Sequence, residues 1–316
     1  MPEYKTIHGQ KVKVLASDPS NPQNGQVWYN TTTNILKVSN IQTGGSWSTG
    51  GNLSHNVQYG GGAGTQTAGL AFGGQSYTGN RTEEYDGTSW TIGGNLGSTN
   101  YDFGDAGTQT AALLFGHYSF PQGRTEEYDG SSWTAGGTMS DGGRGWDGTG
   151  AQTAALAVGS DGPTTEEYDG SSWTAGGNYP DYAAFVGAAG PLTAALVTGG
   201  GSSPTSVTES NHYDGTSWTA GGTMSTGRYL HAMAGAGTQT ASLVFGGEPG
   251  IANTEHYDGS SWTTGGNMST GRSYLAGAGT LSAGLAIAGT INGYSYLNST
   301  EEYSGPGAVV ESVTTS

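Results

Sequence analysis

The sequence predicts an all-β protein, a six-bladed β-propeller with four strands per blade, and three observations predict it. Trp47, Trp90, Trp133, Trp173, Trp218 and Trp262 recur at spacings of 43, 43, 40, 45 and 44 residues, the period of a four-stranded propeller blade. Sixty glycines in 316 residues, with an apolar content of only 33%, suit many short strands joined by tight turns. Helix caps and helical periodicity are missing.

Each unit repeats the same phrases in the same order. "GAGTQTA" stands near Gly64, Gly107 and Gly237 and, altered, near Gly150, Gly190 and Gly279; a weak strand precedes its "GTQT". The apolar runs "GLAFGG", "ALLFGH", "ALAVGS", "ALVTGG", "SLVFGG" and "GLAIAG" come next and read as buried strands. The third strand is the tyrosine phrase at Tyr85, Tyr128, Tyr168, Tyr213, Tyr257 and Tyr303, and the fourth is the "SWT" segment. An Asp-Gly between them supplies the positive φ of a tight hairpin. In "RTEEYDGTSW", Glu83 and Tyr85 share one face of a strand and Glu84 the other, so the two glutamates form no carboxylate pair.

The series opens on a lone tryptophan phrase at Trp47 and ends on a lone tyrosine phrase at Tyr303. Residues 44 to 50 are therefore expected as the fourth strand of the last blade, an N-terminal strand that closes the ring and removes its open edge. The expected organisation is an N-terminal attachment segment over 1–40, a propeller over 41–305, and a C-terminal tail or extra strand over 306–316.

A hydrophobic run ending in Gly-Gly, then Glu-x-Tyr-Asp, then tryptophan resembles the kelch repeat. "MSTGRYLHAM" at Met224 to Met233 is similar to the start of its first strand. The resemblance covers roughly residues 44 to 304 and implies a kelch-like propeller in which Glu83, Glu126, Glu166 and Glu301 are structural positions. A kelch-type copper-radical oxidase would need a cysteine, and the chain has none.

Composition narrows the function classes. A formal charge of -16 with four lysines and five arginines argues against binding nucleic acid or an anionic membrane. No run of eighteen apolar residues is present, so no membrane insertion is expected. The six histidines have no metal-ligand spacing, no calcium loop motif occurs, and "GGGAG" at 60 to 64 lacks the lysine of a phosphate loop. Neither metal nor cofactor is expected, and the repeated arginines read as scaffold, which points away from an enzyme.

All four lysines lie in residues 1 to 37 against Glu3 and Asp18, a change of composition read as a boundary. The segment from Asp18 to Asn40 reads as a turn followed by a two-strand hairpin anchored by Trp28 and Tyr29. "GQVWYN" at 25 to 30 is similar to short segments of tailed-phage structural proteins that precede a fibre or adhesin module. That resemblance implies a virion protein, made in the host cytoplasm without a signal peptide; residues 1–40 are expected to dock it to other virion proteins or to copies of itself as a homo-oligomer. A strand-swapped cap on the propeller is the other reading of this segment.

Comparison of the repeats separates two faces. The turns "GTQT" and "DGTS" recur almost unchanged, whereas the opposite connections, such as "GSTNYDF", "SDGGRGWD" and "TINGYSYLN", vary in length and content. A uniform face and an individual one are how a scaffold presents a specific surface. The variable loops hold Trp146, Tyr101, Phe103, Tyr118, Tyr182 and Tyr294, with Arg144 and Asp147 flanking the off-phase Trp146. Aromatic faces with a few polar neighbours suit sugar rings. These residues are the expected ligand site of a tail fibre or receptor-binding appendage for a host cell-surface glycan or protein; packing between blades is the alternative for each. The rival functions are a head or tail decoration protein and a glycan-active propeller enzyme.

Overall fold

In the computed structural model the described residues are 12–19, 26–42, 44–76, 79–116, 123–143, 145–159, 162–181, 184–202 and 205–312. They are all-β apart from one turn of 3-10 helix at Leu192–Ala194. Seven four-stranded sheets account for most of the chain.

Six of the sheets are the repeat. The first consists of Gly61–Thr65, Ala68–Phe72, Thr82–Tyr85 and Trp90–Ile92, paired antiparallel in that order. The second to fifth begin at Gly104–Thr108, Asp147–Ala151, Gly187–Ala189 and Ala232–Met233 and follow the same order. The sixth takes Ala276–Thr280, Ala283–Ile287 and Thr300–Ser304, and its fourth strand is Ser46–Thr49, with Tyr303 opposite Trp47. The first strand of each sheet lies beside the first strand of the next, and that of the sixth beside that of the first.

Among the described residues the apolar core of the repeat is divided rather than single. The buried apolar side chains form six clusters, each between neighbouring sheets. The period-2 alternation of the apolar runs explains this: Leu114 joins the cluster facing the first sheet and Leu113 the one facing the third. Every second strand is thus buried on both faces, and a short run of small and branched residues fills two seams at once. This is how a chain that is one-third apolar closes a large structure.

Polar side chains stitch the same seams. The tyrosine of each third strand passes its hydroxyl to the residue just before the tyrosine of the preceding sheet. Tyr85 donates to Glu302 at 2.5 Å and Tyr128 to Glu84 at 2.6 Å, and Tyr168 and Tyr213 reach Glu127 and Glu167. In the remaining two seams the partner is a histidine, His212 for Tyr257 at 2.8 Å and His256 for Tyr303. Burial lowers the pKa of both histidines, so each carries one bare ring nitrogen and one ring N–H; the Tyr303 hydroxyl donates to the Gly44 carbonyl at 2.6 Å, so His256 donates to it. The tryptophan indoles also cross, Trp133 to Thr82 Oγ1 at 2.8 Å and Trp173 to Thr125 Oγ1 at 2.9 Å.

The invariance of "GTQT" has the same origin. Gln109 Nε2 donates to the carbonyls of Gly69 and Tyr85 in the preceding sheet at 3.0 and 2.7 Å, and Gln66, Gln152 and Gln239 repeat the clamp. Where glutamine is missing, Leu192 and Leu281 pack against the seam clusters instead. Two glycines show why the turns are fixed. Gly107 has φ +103°, and a Cβ on Gly94, in the "GG" after the fourth strand, would sit 2.0 Å from the Ser131 carbonyl of the next sheet.

Glu83, Glu126, Glu166 and Glu301, expected as structural positions, are all buried. Glu83 accepts from the Ser54 amide and hydroxyl, Glu126 from Gly97, and Glu166 from Ser140 and Asp141, so each ties down the loop that enters its own sheet. Arg228–Glu255 and Arg272–Glu301 are buried ion pairs of the same kind.

The seventh sheet joins the two ends of the chain. Lys13–Leu15 pairs parallel with Val27–Asn30, which forms the expected hairpin with Ile35–Gln42, and Gly307–Ser312 adds to the far edge of that strand. Trp28 is fully buried and donates its indole N–H to Asp18, which also accepts from Asn30 and Lys37. These bonds, that of Lys37 first, hold Asp18 down to about 2.

The glutamine clamp yields a direct expectation. Gln109→Ala leaves two buried-seam carbonyls without their donor and should lower the unfolding free energy of the full chain by about 1–3 kcal/mol in urea titration. A change below about 0.5 kcal/mol would remove the clamp from the account.

Candidate functional site

Two residues before the first strand of each sheet, the chain turns through a left-handed residue. These are Tyr59, Asp102, Gly145, Phe185, Leu230 and Tyr274, with φ of 57°, 61°, 72°, 55°, 53° and 55°. Their backbones are linked around the axis: Tyr59 N–H donates to Tyr274 O, Tyr274 to Leu230, Leu230 to Phe185, Phe185 to Gly145, and Asp102 to Tyr59, at 3.0–3.3 Å. The result is a collar of peptides on the face of the variable connections.

The collar is costly as built. A left-handed conformation is disfavoured by roughly 1–2 kcal/mol for a residue with a Cβ. Among the described residues 25 glycines take positive φ and only eight other residues do, five of them in the collar. The chain therefore has glycine available for this geometry, uses it at Gly145, and keeps large side chains at the other five positions. Those five side chains are half-buried and border an axial cavity of about 110 Å³.

Below the collar the cavity wall includes Phe103, Asp105, Trp146, Asp147, His231 and Met233. Asp105 and Asp147 come from the first strands of adjacent sheets and accept backbone N–H groups on opposite sides, Gly62 at 3.0 Å and Ala188 at 2.9 Å. Burial pushes Asp105 up to about 7, against the pull of the Gly62 amide. Asp147 is raised well above the usual carboxylate range, first by burial and then by the charge of Asp105. His231 is lowered to about 3 by burial and by Arg228, with only the Thr198 carbonyl opposing. A second cavity of about 390 Å³ lies along the same strands, lined mainly by glycine, alanine and threonine, and shares Asp105 with the first.

Of the residues expected from sequence, Phe103, Trp146 and Asp147 come together on this cavity. Tyr101 stands beside it, its ring 6.4 Å from that of Tyr59. Trp146 and Phe103, expected as ligand-site aromatics with packing between blades as the alternative, are 4% and 8% exposed. Trp146 packs with Phe115, Met139 and Trp173, and Phe103 stacks on Phe72 at 5.7 Å, because both directly flank a first strand, where the seam closes. Tyr294 is 92% exposed, at the turn between Thr290–Ile291 and Ser295–Tyr296, and does not line the cavity. Arg144, Tyr118 and Tyr182 lie outside the described residues.

Sequence reasoning did not single out Asp102, Asp105, Phe185, Leu230, His231 or Tyr274. A signal existed for Asp105, which stands where the other repeats carry Gly62, Gly148, Ala188, Met233 and Gly277, none of them charged.

Among solved structures, that of YjhT is similar, with a TM-score of 0.67 at 14% identity over 82% of this chain and 99% of that one. This chain has a β-propeller-type fold. YjhT is kelch-like, and at that identity the likeness concerns the fold alone. No protein-family model matches the chain, and no curated protein does.

The carboxyl pair predicts a pH signature. A carboxyl whose folded pKa is raised adds no penalty below its unfolded value; the penalty grows as pH rises from the unfolded value to the folded one and is constant above it. Asp105→Asn should therefore match the wild-type melting temperature near pH 4 and exceed it by roughly 2 °C or more at pH 8. Equal melting temperatures at both pH values would show that Asp105 ionises freely.

Proposed function

We propose that this chain is a non-enzymatic recognition protein: a six-bladed kelch-like propeller, closed by the strand at Ser46–Thr49, that binds a host-surface glycan at the collar end of its axis. The particle we assign it to is a tailed-phage virion, as a tail fibre or receptor-binding appendage held through the terminal sheet. The observation that carries the binding reading is the retention of Tyr59, Asp102, Phe185, Leu230 and Tyr274 in a conformation that glycine adopts freely. Strain kept at one ring of positions, with the side chains aimed at a cavity, belongs to a site and not to packing. The assignment to a virion rests on the likeness of "GQVWYN" to phage structural segments and on the folded sheet that this stretch helps to form.

Closure is supported by the pairing of Tyr303 with Trp47 and by the seam cluster that the sixth sheet shares with the first. Deleting residues 44 to 50 should lower the melting temperature of all six sheets together, because an opened ring loses a sheet edge and a seam at once. Hydrogen exchange that accelerates in the sixth sheet alone would contradict a closed ring.

The collar itself can be removed without strain. Tyr59→Gly, Phe185→Gly and Tyr274→Gly combined should reduce adsorption of labelled protein to its host bacterium at least tenfold, with a melting temperature within a few degrees of wild type. Undiminished adsorption would take the binding surface elsewhere. A glycan-active enzyme draws on one observation, the raised Asp105 and Asp147 pair, since a carboxyl held near neutrality serves as a general acid. Release of reducing sugar from host envelope by the wild type, abolished in Asp147→Asn, would favour it.

A further inference from the structure

We propose that the axial cavity takes the ammonium-bearing edge of an amino sugar, a primary amine next to a hydroxyl. This rests on the recognition reading of the same site and names its ligand chemistry.

The electrostatics of the wall select a cation. Asp102, Asp105 and Asp147 border the cavity, and no lysine or arginine does among the described residues. His231 stays neutral, so it adds no positive charge. Tyr59, Phe103, Trp146, Phe185 and Tyr274 supply ring faces and edges around the same space, and an organic cation is held by aromatic faces as well as by carboxylates.

Two unsatisfied groups narrow the choice. Trp146 is 4% exposed and its indole N–H has no hydrogen-bond partner; His231 is 6% exposed and neither ring nitrogen makes a well-formed bond. Both side chains border the cavity. Neutral imidazole offers one acceptor nitrogen, which suits an ammonium N–H, while indole offers only a donor, which suits a hydroxyl oxygen. Unpartnered buried polar groups destabilise a folded chain unless something completes them. A quaternary ammonium has no N–H to give, and a neutral sugar has no charge to place between the carboxyls. A volume of about 110 Å³ equals roughly three to four waters of liquid, room for the amine and its neighbouring hydroxyl while the rest of the sugar stands in the collar.

A bound cation favours the ionised carboxyls, so binding displaces their proton and strengthens as pH rises. The groups that set this response are Asp102, Asp105, Asp147, His231, Tyr59 and Tyr274, with Arg228 beside His231, Tyr229 beside Tyr274, and Glu248 beside both collar tyrosines.

Isothermal titration of the full chain with glucosamine, N-acetylglucosamine, glucose and choline chloride, at pH 5.5 and 7.0, tests the inference. Glucosamine should bind at least tenfold more tightly than glucose or N-acetylglucosamine. Its affinity should rise about three- to tenfold between the two pH values. The preference should vanish in the Asp105→Asn, Asp147→Asn double variant, whose fold is checked by its melting curve. Equal binding of glucose, preferential binding of choline, no binding by any probe, or a preference unchanged in the double variant would each overturn it. Adsorption that depends on the collar without any amino-sugar preference sinks this inference and leaves the recognition reading standing. Amino-sugar binding with adsorption indifferent to the collar variant does the reverse.

Discussion

The rest of the structure depends on the seam between sheets, and within the seam on the third-strand tyrosine that reaches across it. A four-stranded sheet of this composition has no hydrophobic face of its own to close against, since both faces of its apolar strand are covered by neighbours. The tyrosine ring fills the seam while its hydroxyl finds a carboxylate or imidazole on the preceding sheet. A hydrogen bond to a charged group contributes about 1.5–3 kcal/mol where a neutral one gives about 1, and the bond is made in all six seams. Glutamate is the partner in four seams and histidine in two, because the position requires a hydrogen-bonding group and not a charge. Tryptophan and glutamine cross the same gap, so the most repeated letters of the sequence are those that touch the next repeat.

This is why the fold was legible and much of the site was not. Trp47 and Tyr303 gave the phase, and their pairing in one sheet follows from it. The role of Gln109 could not be read from one repeat, because its partners are carbonyls in another. The packing of Trp146 and Phe103 was not legible for a local reason: a left-handed residue just upstream re-aims the chain, so parity along the strand no longer tells which side a neighbouring residue takes. Asp105 was legible in principle, as a carboxylate at a position that is otherwise glycine, alanine or methionine, but only by aligning the repeats with each other. The collar was hidden in the same way, its members being Tyr, Asp, Gly, Phe, Leu and Tyr with no shared letter.

A scaffold of equal parts acquires a site by breaking the equality. The seams repeat their bonds almost without change, whereas the axis carries two carboxyls on adjacent strands and none at the equivalent positions of the other sheets. Those carboxyls sit where the first strands converge, so their charge lies on the wall of the cavity that the collar opens onto. Placing them there works against stability, as the raised pKa of Asp105 and Asp147 records. The strained collar works against it too. Both concessions fall on one end of one axis, and the seam clusters that reach the cavity wall through Trp146 and Phe103 hold the strands that carry them.

The terminal sheet adjoins the sixth sheet of the repeat. Ile35–Gln42 leads within a few residues to Ser46–Thr49, and Thr300–Ser304 leads as directly to Gly307–Ser312. These two segments therefore pair once within the sixth sheet and again in the terminal sheet. An opening of the sixth sheet at its closing strand must also strain the outer pairing, and a partner gripping the outer sheet pulls on both strands of that pair together. The buried Trp28 and the Asp18 cluster give this outer sheet its own anchor, so a pull on it is shared between two paired strands before it reaches the seams.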